Sequence, residues 1–319
     1  MELYPFKLSN VTKSPIWGGT RLITDWNKRG EAETVGESWE LTVRKHEKSV
    51  IQNGIHAGRT LESVIAEAGG NLIAPDFSEP RFPLLVKLID AGDKLSVQVH
   101  PDNDYAARVE KDQGKTEMWY IVEADEGAEL ICGLLDGVTR EDFAAAVAAG
   151  DAERVLKRCP VKAGESYFIP AGMPHAIGKG ILIAEIQQNC DLTYRVYDYN
   201  RRQADGSLRE LHVEKACDVV RAFSEEEIED LRYARRSDTL VNGEILADCA
   251  YFRVEHLKVG EKKHLPDSAL MRHFLCIAGE GSLICKGEKY PIAKGDSYYV
   301  PPIHGLSVEG EFTALVSGI

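Results

Sequence analysis

Three side chains of this sequence could hold a metal ion together: His100, Glu117 and His175, with Gln98 as a possible fourth. Divalent metals take imidazole nitrogens and carboxylate oxygens at roughly 2.0–2.2 Å, so their ligands must converge from rigid elements. Two histidines, one carboxylate and a neutral amide would leave the ion one or two open positions, an arrangement suited to catalysis. Two histidines and a carboxylate also describe the facial triad of non-haem iron oxygenases. The spacing therefore leaves zinc, iron, manganese and cobalt open. Alone, either histidine reads more simply as a buried or turn residue; the set in register is what points to a metal.

The elements that must position these residues can be read from the local pattern. Residues 95–100 alternate: Leu95, Val97 and Val99 to one side, Ser96, Gln98 and His100 to the other. That period of two is the mark of a strand and puts the polar set on one face. Lys115 and Glu117 share a face of a strand over 116–122. Glycine and proline in Gly164–His175, G-x5-P-x-G-x2-H, read as a turn, a short strand and a second turn that delivers His175. Further strands are expected at 82–89, 181–187 and 192–199. Helices are expected at 61–68, 140–149 capped by Thr139, 152–158, 211–220, and 224–232 capped by Ser224.

From about residue 248 the strand pattern returns, at 251–257, 272–278, 281–286, 297–300 and 312–316, with hairpin turns expected at 279–281 and 286–287. The segment 293–304 echoes 162–170 at a separation of about 131 residues. A repeat of that length suggests two copies of one small β-barrel. The second copy keeps the glycine turn and proline. His304 stands near the place of His175, but no acidic partner follows Arg272 and His273 at the right distance, so this copy is expected to be metal-free.

Composition narrows the function. The chain has 319 residues, 44% of them hydrophobic, and a formal charge of −13. Such a charge gives no electrostatic reason to hold nucleic acid or an anionic membrane. An anionic substrate would need a local basic pocket. No apolar run approaches the roughly 20 residues that span a bilayer. The first residues lack a basic-then-apolar signal pattern, and seven scattered cysteines fit reduced thiols. A cytoplasmic location is the expectation. Oligomeric state is not legible.

Five segments together resemble class I mannose-6-phosphate isomerases in their shorter bacterial form. They are Pro15–Gly19 (PIWGG), Leu95–Pro101 (LSVQVHP), Gly114–Tyr120 (GKTEMWY), Pro170–His175 (PAGMPH) and Thr193–Asp198 (TYRVYD). The resemblance runs from residue 1 to about 220, and more loosely to the end. It implies a mainly β double cupin, with short helical segments between and before the two barrels, that interconverts mannose 6-phosphate and fructose 6-phosphate with one zinc ion per chain. It implies Gln98, His100, Glu117 and His175 as zinc ligands and Arg195 as the active-site arginine. Lys87, Ser96, Lys115 and Asp191 match other pocket positions. Gly114 stands where some longer members carry a histidine. The expected division is a metal-binding cupin over 1–138 and 159–200, a helical insertion at 139–158, a helical linker at 201–240 and a metal-free cupin over 241–319.

Moving a carbonyl between C1 and C2 of a sugar phosphate requires a base, an electrophile for the enediolate and a cationic hold on the phosphate. Lysine and arginine supply the last. The base is open among Lys115, Asp191, a metal-bound water or a more distant group. A nearby divalent ion would depress Lys115 towards proton transfer. Asp191 and Arg195 share a strand face, as catalytic partners or as a structural ion pair. Lys87 is a substrate contact or a lysine snorkelling from the barrel mouth, and Trp17 a pocket wall or a core aromatic. Two other functions stay open: a catalytically silent sugar-phosphate-binding regulator, and a metal-dependent cupin oxygenase.

Overall fold

The computed structural model describes every residue except 1, 31, 204 and 236–238. Twelve strands precede residue 200: β1 (Phe6–Lys7), β2 (Val11–Lys13), β3 (Glu37–Leu41), β4 (Leu84–Ala91), β5 (Val97–Val99), β6 (Glu117–Ala124), β7 (Glu129–Leu134), β8 (Leu156–Pro160), β9 (Ser166–Ile169), β10 (His175–Ile177), β11 (Ile181–Gln188) and β12 (Tyr194–Tyr197). Seven follow: β13 (Glu244–Asp248), β14 (Arg253–Val259), β15 (Lys263–His264), β16 (Arg272–Cys285), β17 (Glu288–Ala293), β18 (Ser297–Val300) and β19 (Ser307–Gly318). The mainly β, double-cupin expectation holds.

They form three sheets. One runs β12-β5-β10-β7-β8, a second β2-β3-β4-β11-β6-β9, and the third β1-β18-β16-β19-β14-β13, with β15 and β17 joined to β19 and β16. The second sheet is the middle layer, because both of its faces are buried. Ile181 and Ile183 of β11 pack with Trp119 and Ile121 towards the first sheet. Leu182, Ala184 and Ile186 pack with Val254 and Leu275 of the third and with Met271 just before β16. The outer face of the first sheet, Val97, Val99, Ile131 and Tyr194, is covered by helices Arg140–Ala148 and Val213–Val219 through Phe143, Ala146 and Ala216. Burial on both sides is why the β4 and β11 sequences are almost continuously apolar. Of the charges that interrupt them, Asp90 is held by Arg21 at 2.9 Å, and Lys87 and Glu185 need another reason.

Several local expectations match. The helices Leu61–Ala68, Arg140–Ala148 and Glu225–Arg232 start at Thr60, Thr139 and Ser224, the last two with reciprocal capping boxes. The 286–287 hairpin has Lys286 and Gly287 both at positive φ, 52° and 83°, as a tight two-residue turn requires.

Others differ. Residues 152–158 are not a helix: a single 3-10 turn, Ala152–Val155, leads into β8, which pairs with β7. Pairing with β7 satisfies the backbone of Leu156–Pro160 as strand, which leaves no room for a helix through residue 158. Strand therefore begins inside the expected insertion at 139–158. Likewise, Gly279 does not reverse the chain. Segments 272–278 and 281–286 form one strand, β16, whose register against β19 slips between Cys276 and Ala278. Gly279 sits at φ +73°, and a Cβ there would lie 2.0 Å from Glu311 O, so the glycine serves a kinked close crossing. Phe6–Lys7, expected in the first cupin, pairs with β18 of the third sheet. Short β1 carries Phe6 into the shared core, where the exposed edge of β18 accepts it.

Candidate metal centre

Strand register assembles the site. Gln98 on β5 is the Cα partner of both His175 on β10 and Arg195 on β12. Directly paired residues project to the same face, so Arg195, Gln98 and His175 form one row on the inner face of the first sheet. On the facing sheet, Lys87, Glu185 and Trp119 form a second row, and Gln187 and Glu117 a third. His100, Glu117 and His175 come together between these rows. Their ligand atoms lie within 4.8 Å of one another and all three residues are buried. Among the described residues no other group of three such side chains comes together.

The turn before His175 is built to aim it. Gly172 has φ +91°, and its N–H donates to His100 O at 2.9 Å, fixing one histidine segment on the other. His175 Nδ1–H then donates to Met173 O at 2.8 Å. That bond sets the tautomer and leaves Nε2 as a lone pair, buried and with no hydrogen-bond partner among the described residues. His100 Nε2 lies 3.2 Å from Glu117 Oε1, and His175 Nε2 3.9 Å from Glu117 Oε2. Burial, and then Lys115, pushes His100 down to about 3, and burial lowers His175 as well. Both imidazoles are therefore neutral, the form that binds a metal. Burial alone would keep Glu117 protonated, but Lys115 and His100 outweigh it and hold the carboxylate well below its usual range. The donor set fits a divalent ion.

Lys115 Nζ contacts Glu117 Oε1 and stands 3.1 Å from His100 Nε2. Burial works against its charge, but Glu117 and Glu185 more than offset that, and its pKa is raised. This is the reverse of the direction expected beside a bound ion, because the neighbouring carboxylates dominate among the chain's own groups. Gly114 is sterically required here. A Cβ would come 2.5 Å from Asn103 N, so the loop cannot accept the histidine of longer relatives without moving helix Asn103–Val109.

Lys87 is almost fully buried, 3.2 Å from Glu185 Oε2 and 3.9 Å from both Glu37 Oε2 and Asp191 Oδ1. It does not snorkel to water. Burial opposes its charge, yet Glu185 and Glu37 prevail and its pKa is raised. Arg195 Nε donates to Ser96 Oγ at 3.3 Å and Nη1 to Glu210 O at 2.8 Å. The shared face of Asp191 and Arg195 thus does not make an ion pair: Asp191 lies before β12, half-exposed, and faces Lys87. Trp17 is buried in the apolar cluster with Ile89, Leu95 and Trp119, behind the polar rows.

Two residues escaped the sequence reading. Glu185 is buried on β11. Burial, and then Glu117, raises it to about 6. Trp119 Nε1 donates to both Glu117 Oε2 (2.9 Å) and Glu185 Oε1 (3.0 Å), bridging ligand and acid. The available signal was a lone acid in the apolar run Ile181–Gln188.

The repeat explains the second barrel. Arg272 pairs with Val300 in the register that pairs Glu117 with Ile169. A fully buried arginine therefore stands in the place of Glu117. Leu306, one step from the Ser307–His264 pair, takes the place of His175. His304 is instead exposed and sits 3.2 Å from Asp267.

Similarity to known proteins extends over the whole chain. A family model described as phosphomannose isomerase type I, catalytic domain, matches residues 5–132, and one described as mannose-6-phosphate isomerase, cupin domain, matches residues 243–319. Mannose-6-phosphate isomerase ManA of Bacillus subtilis is 38% identical over 98% of this chain and 96% of its own. A mannose-6-phosphate isomerase of Streptococcus mutans is 35% identical over 98% of each. A crystal structure of the mannose 6-phosphate isomerase from Bacillus subtilis superposes with a TM-score of 0.87 at 32% identity, covering 99% of both chains.

Proposed function

The chain belongs to the mannose-6-phosphate isomerase family, and from that membership we propose that it interconverts mannose 6-phosphate and fructose 6-phosphate through a cis-enediol(ate). The observation that carries this reading is the facing of two sheets: neutral imidazoles on one side, and the Glu117 carboxylate, buried lysines and a buried acid on the other. A sugar phosphate is the anion such cations suit, and an aldose–ketose shift is the chemistry such acids and bases serve.

His100, Glu117 and His175, with Gln98 as the fourth ligand, would hold one divalent ion per chain, zinc by the family's pattern. When bound, the ion supplies Lewis-acid polarisation of the substrate carbonyl. The chain's own groups do the rest. Glu185, at about 6, is matched to receive and return a proton near neutral pH. Lys115 stays charged and offers a proton or a positive charge to a developing oxyanion. Lys87, fixed between Glu185, Glu37 and Asp191, carries a second buried charge. Asp191, at the half-exposed end of that chain of contacts, orients Lys87 or relays its proton. Arg195, anchored on Ser96, presents its guanidinium fork to a substrate oxygen or to the phosphate. Trp17 closes the apolar wall that keeps water from the site. No helix among the described residues is long and apolar enough to cross a membrane. The partner proposed is a small sugar phosphate.

The test is fructose 6-phosphate formation from mannose 6-phosphate, run as isolated, after chelation and after restoring zinc. Activity lost on chelation and regained with the metal is the expected result. Metal-loaded protein that leaves mannose 6-phosphate unchanged overturns the reading.

A further inference from the structure

We infer that Gln187 determines specificity: its side-chain oxygen accepts a hydrogen bond from a hydroxyl of the sugar. The inference rests on the isomerase reading above. Gln187 has no exposed surface. It lies on β11 with Glu117 as its Cα partner on β6, so its amide projects from the metal face beside the ligand carboxylate. Its Nε2 donates to Gln188 O at 2.7 Å and to Cys190 O at 2.5 Å. Both partners are carbonyls, which can only accept, so the nitrogen must face them and the oxygen must face away.

That oxygen is buried and meets no donor among the described residues. The donors of the neighbouring rows are already directed elsewhere: Lys115 at Glu117 and His100, Trp119 at Glu117 and Glu185, Lys87 at Glu185. An acceptor left in this state is costly, because it has given up water without a replacement. A ligand hydroxyl would meet it, because hydroxyl donates and the amide oxygen is neutral. The same oxygen would be left unmet by a substrate lacking that hydroxyl, which is how a polar site rejects deoxy analogues. The ligand class it selects is a polyhydroxylated sugar phosphate.

The experiment compares kcat/KM for mannose 6-phosphate and for its 3-deoxy and 4-deoxy analogues. The wild-type enzyme is expected to disfavour one analogue by about 10²-fold or more, in line with an unmet buried acceptor. Gln187→Met should compress that ratio below about tenfold, mainly by losing ground on mannose 6-phosphate, with metal content unchanged. This variant also strips the donors from Gln188 O and Cys190 O. Gln187→Glu is therefore the companion: it keeps an oxygen facing the site, loses the amide donors, and should preserve the discrimination. A residue that merely holds the 188–190 turn would slow all three substrates in proportion in both variants, leaving the ratios at the wild-type value, and that result overturns the inference. So does a wild-type enzyme indifferent to both analogues, or loss of the metal from Gln187→Met, which would make Gln187 a ligand. Absence of any wild-type turnover of mannose 6-phosphate would instead remove the isomerase reading itself.

Discussion

The N–H of Gly172 donates to the carbonyl of His100 at 2.9 Å. One hydrogen bond thus ties the turn that aims one imidazole to the strand end that carries the other. The two rings come to 4.7 Å between centroids, although 74 residues separate them in the chain. Their convergence depends on a backbone shape that only glycine adopts without strain.

Gly172→Ala tests that dependence. Its φ is +91°, and a Cβ would lie 2.9 Å from Val219 O. The substitution should cost about 1–3 kcal/mol of stability. It should also lower metal retention, because His175 moves with the turn. Thermal midpoint and elemental analysis on one preparation read both; a variant with wild-type values for each would show that the turn does not aim the histidine.

Arg195→Lys separates catalysis from packing. Lysine cannot reproduce the guanidinium fork that reaches Ser96 and Glu210. The expected loss in kcat is roughly 10²-fold or more, as for removal of one preorganised charge donor. Metal content and thermal midpoint should hold, since Arg195 is not a ligand. Lost stability with intact turnover would assign it to the fold instead.

His273 should give the protein a slope of stability against pH. Burial, and then Lys28, holds its imidazole down to about 3, and its Nε2 is 2.7 Å from Ser297 Oγ. The folded residue stays neutral while the unfolded one takes up a proton below about 6.5. Its contribution is therefore complete above that pH and falls as pH drops from there towards 3, by about 1.4 kcal/mol per unit. His273→Asn should remove one proton from the slope measured by denaturant unfolding between pH 7 and 5. An unchanged slope would mean that His273 protonates in the folded state.

Arg272→Met tests the metal-free reading of the second barrel. Arg272 Nη1 donates to Leu240 O (3.3 Å) and Pro266 O (2.9 Å), while Nε and Nη2 are buried without partners among the described residues. Replacing a buried charge with an apolar side chain of similar volume is often neutral or stabilising by about 1–4 kcal/mol. The metal should remain at one per chain and turnover should change little. Loss of the ion, measured by elemental analysis, would place a metal in the wrong barrel.

Residue type and spacing in the sequence brought out His100, Glu117 and His175 as candidate ligands, and the echo of 162–170 in 293–304. These follow from residue type and local period. Ser96, Gln98 and His100 share a face because strands alternate, and Gly164, Pro170 and Gly172 mark turns whatever they pack against. Only the tertiary structure decided which strands lie side by side and in what register. Asp191 and Arg195 share a local face, yet the fold turns the first to Lys87 and the second to Ser96. Glu185 and Gln187 lie in an expected strand, but only its pairing with β6 places them beside Trp119 and Glu117. Residues 156–158 became strand because β7 was there to pair with them. Arg272 became the counterpart of Glu117 only through its pairing with Val300. Local pattern specifies a face; the partners on that face come from long-range hydrogen bonding and burial, which no window of sequence contains.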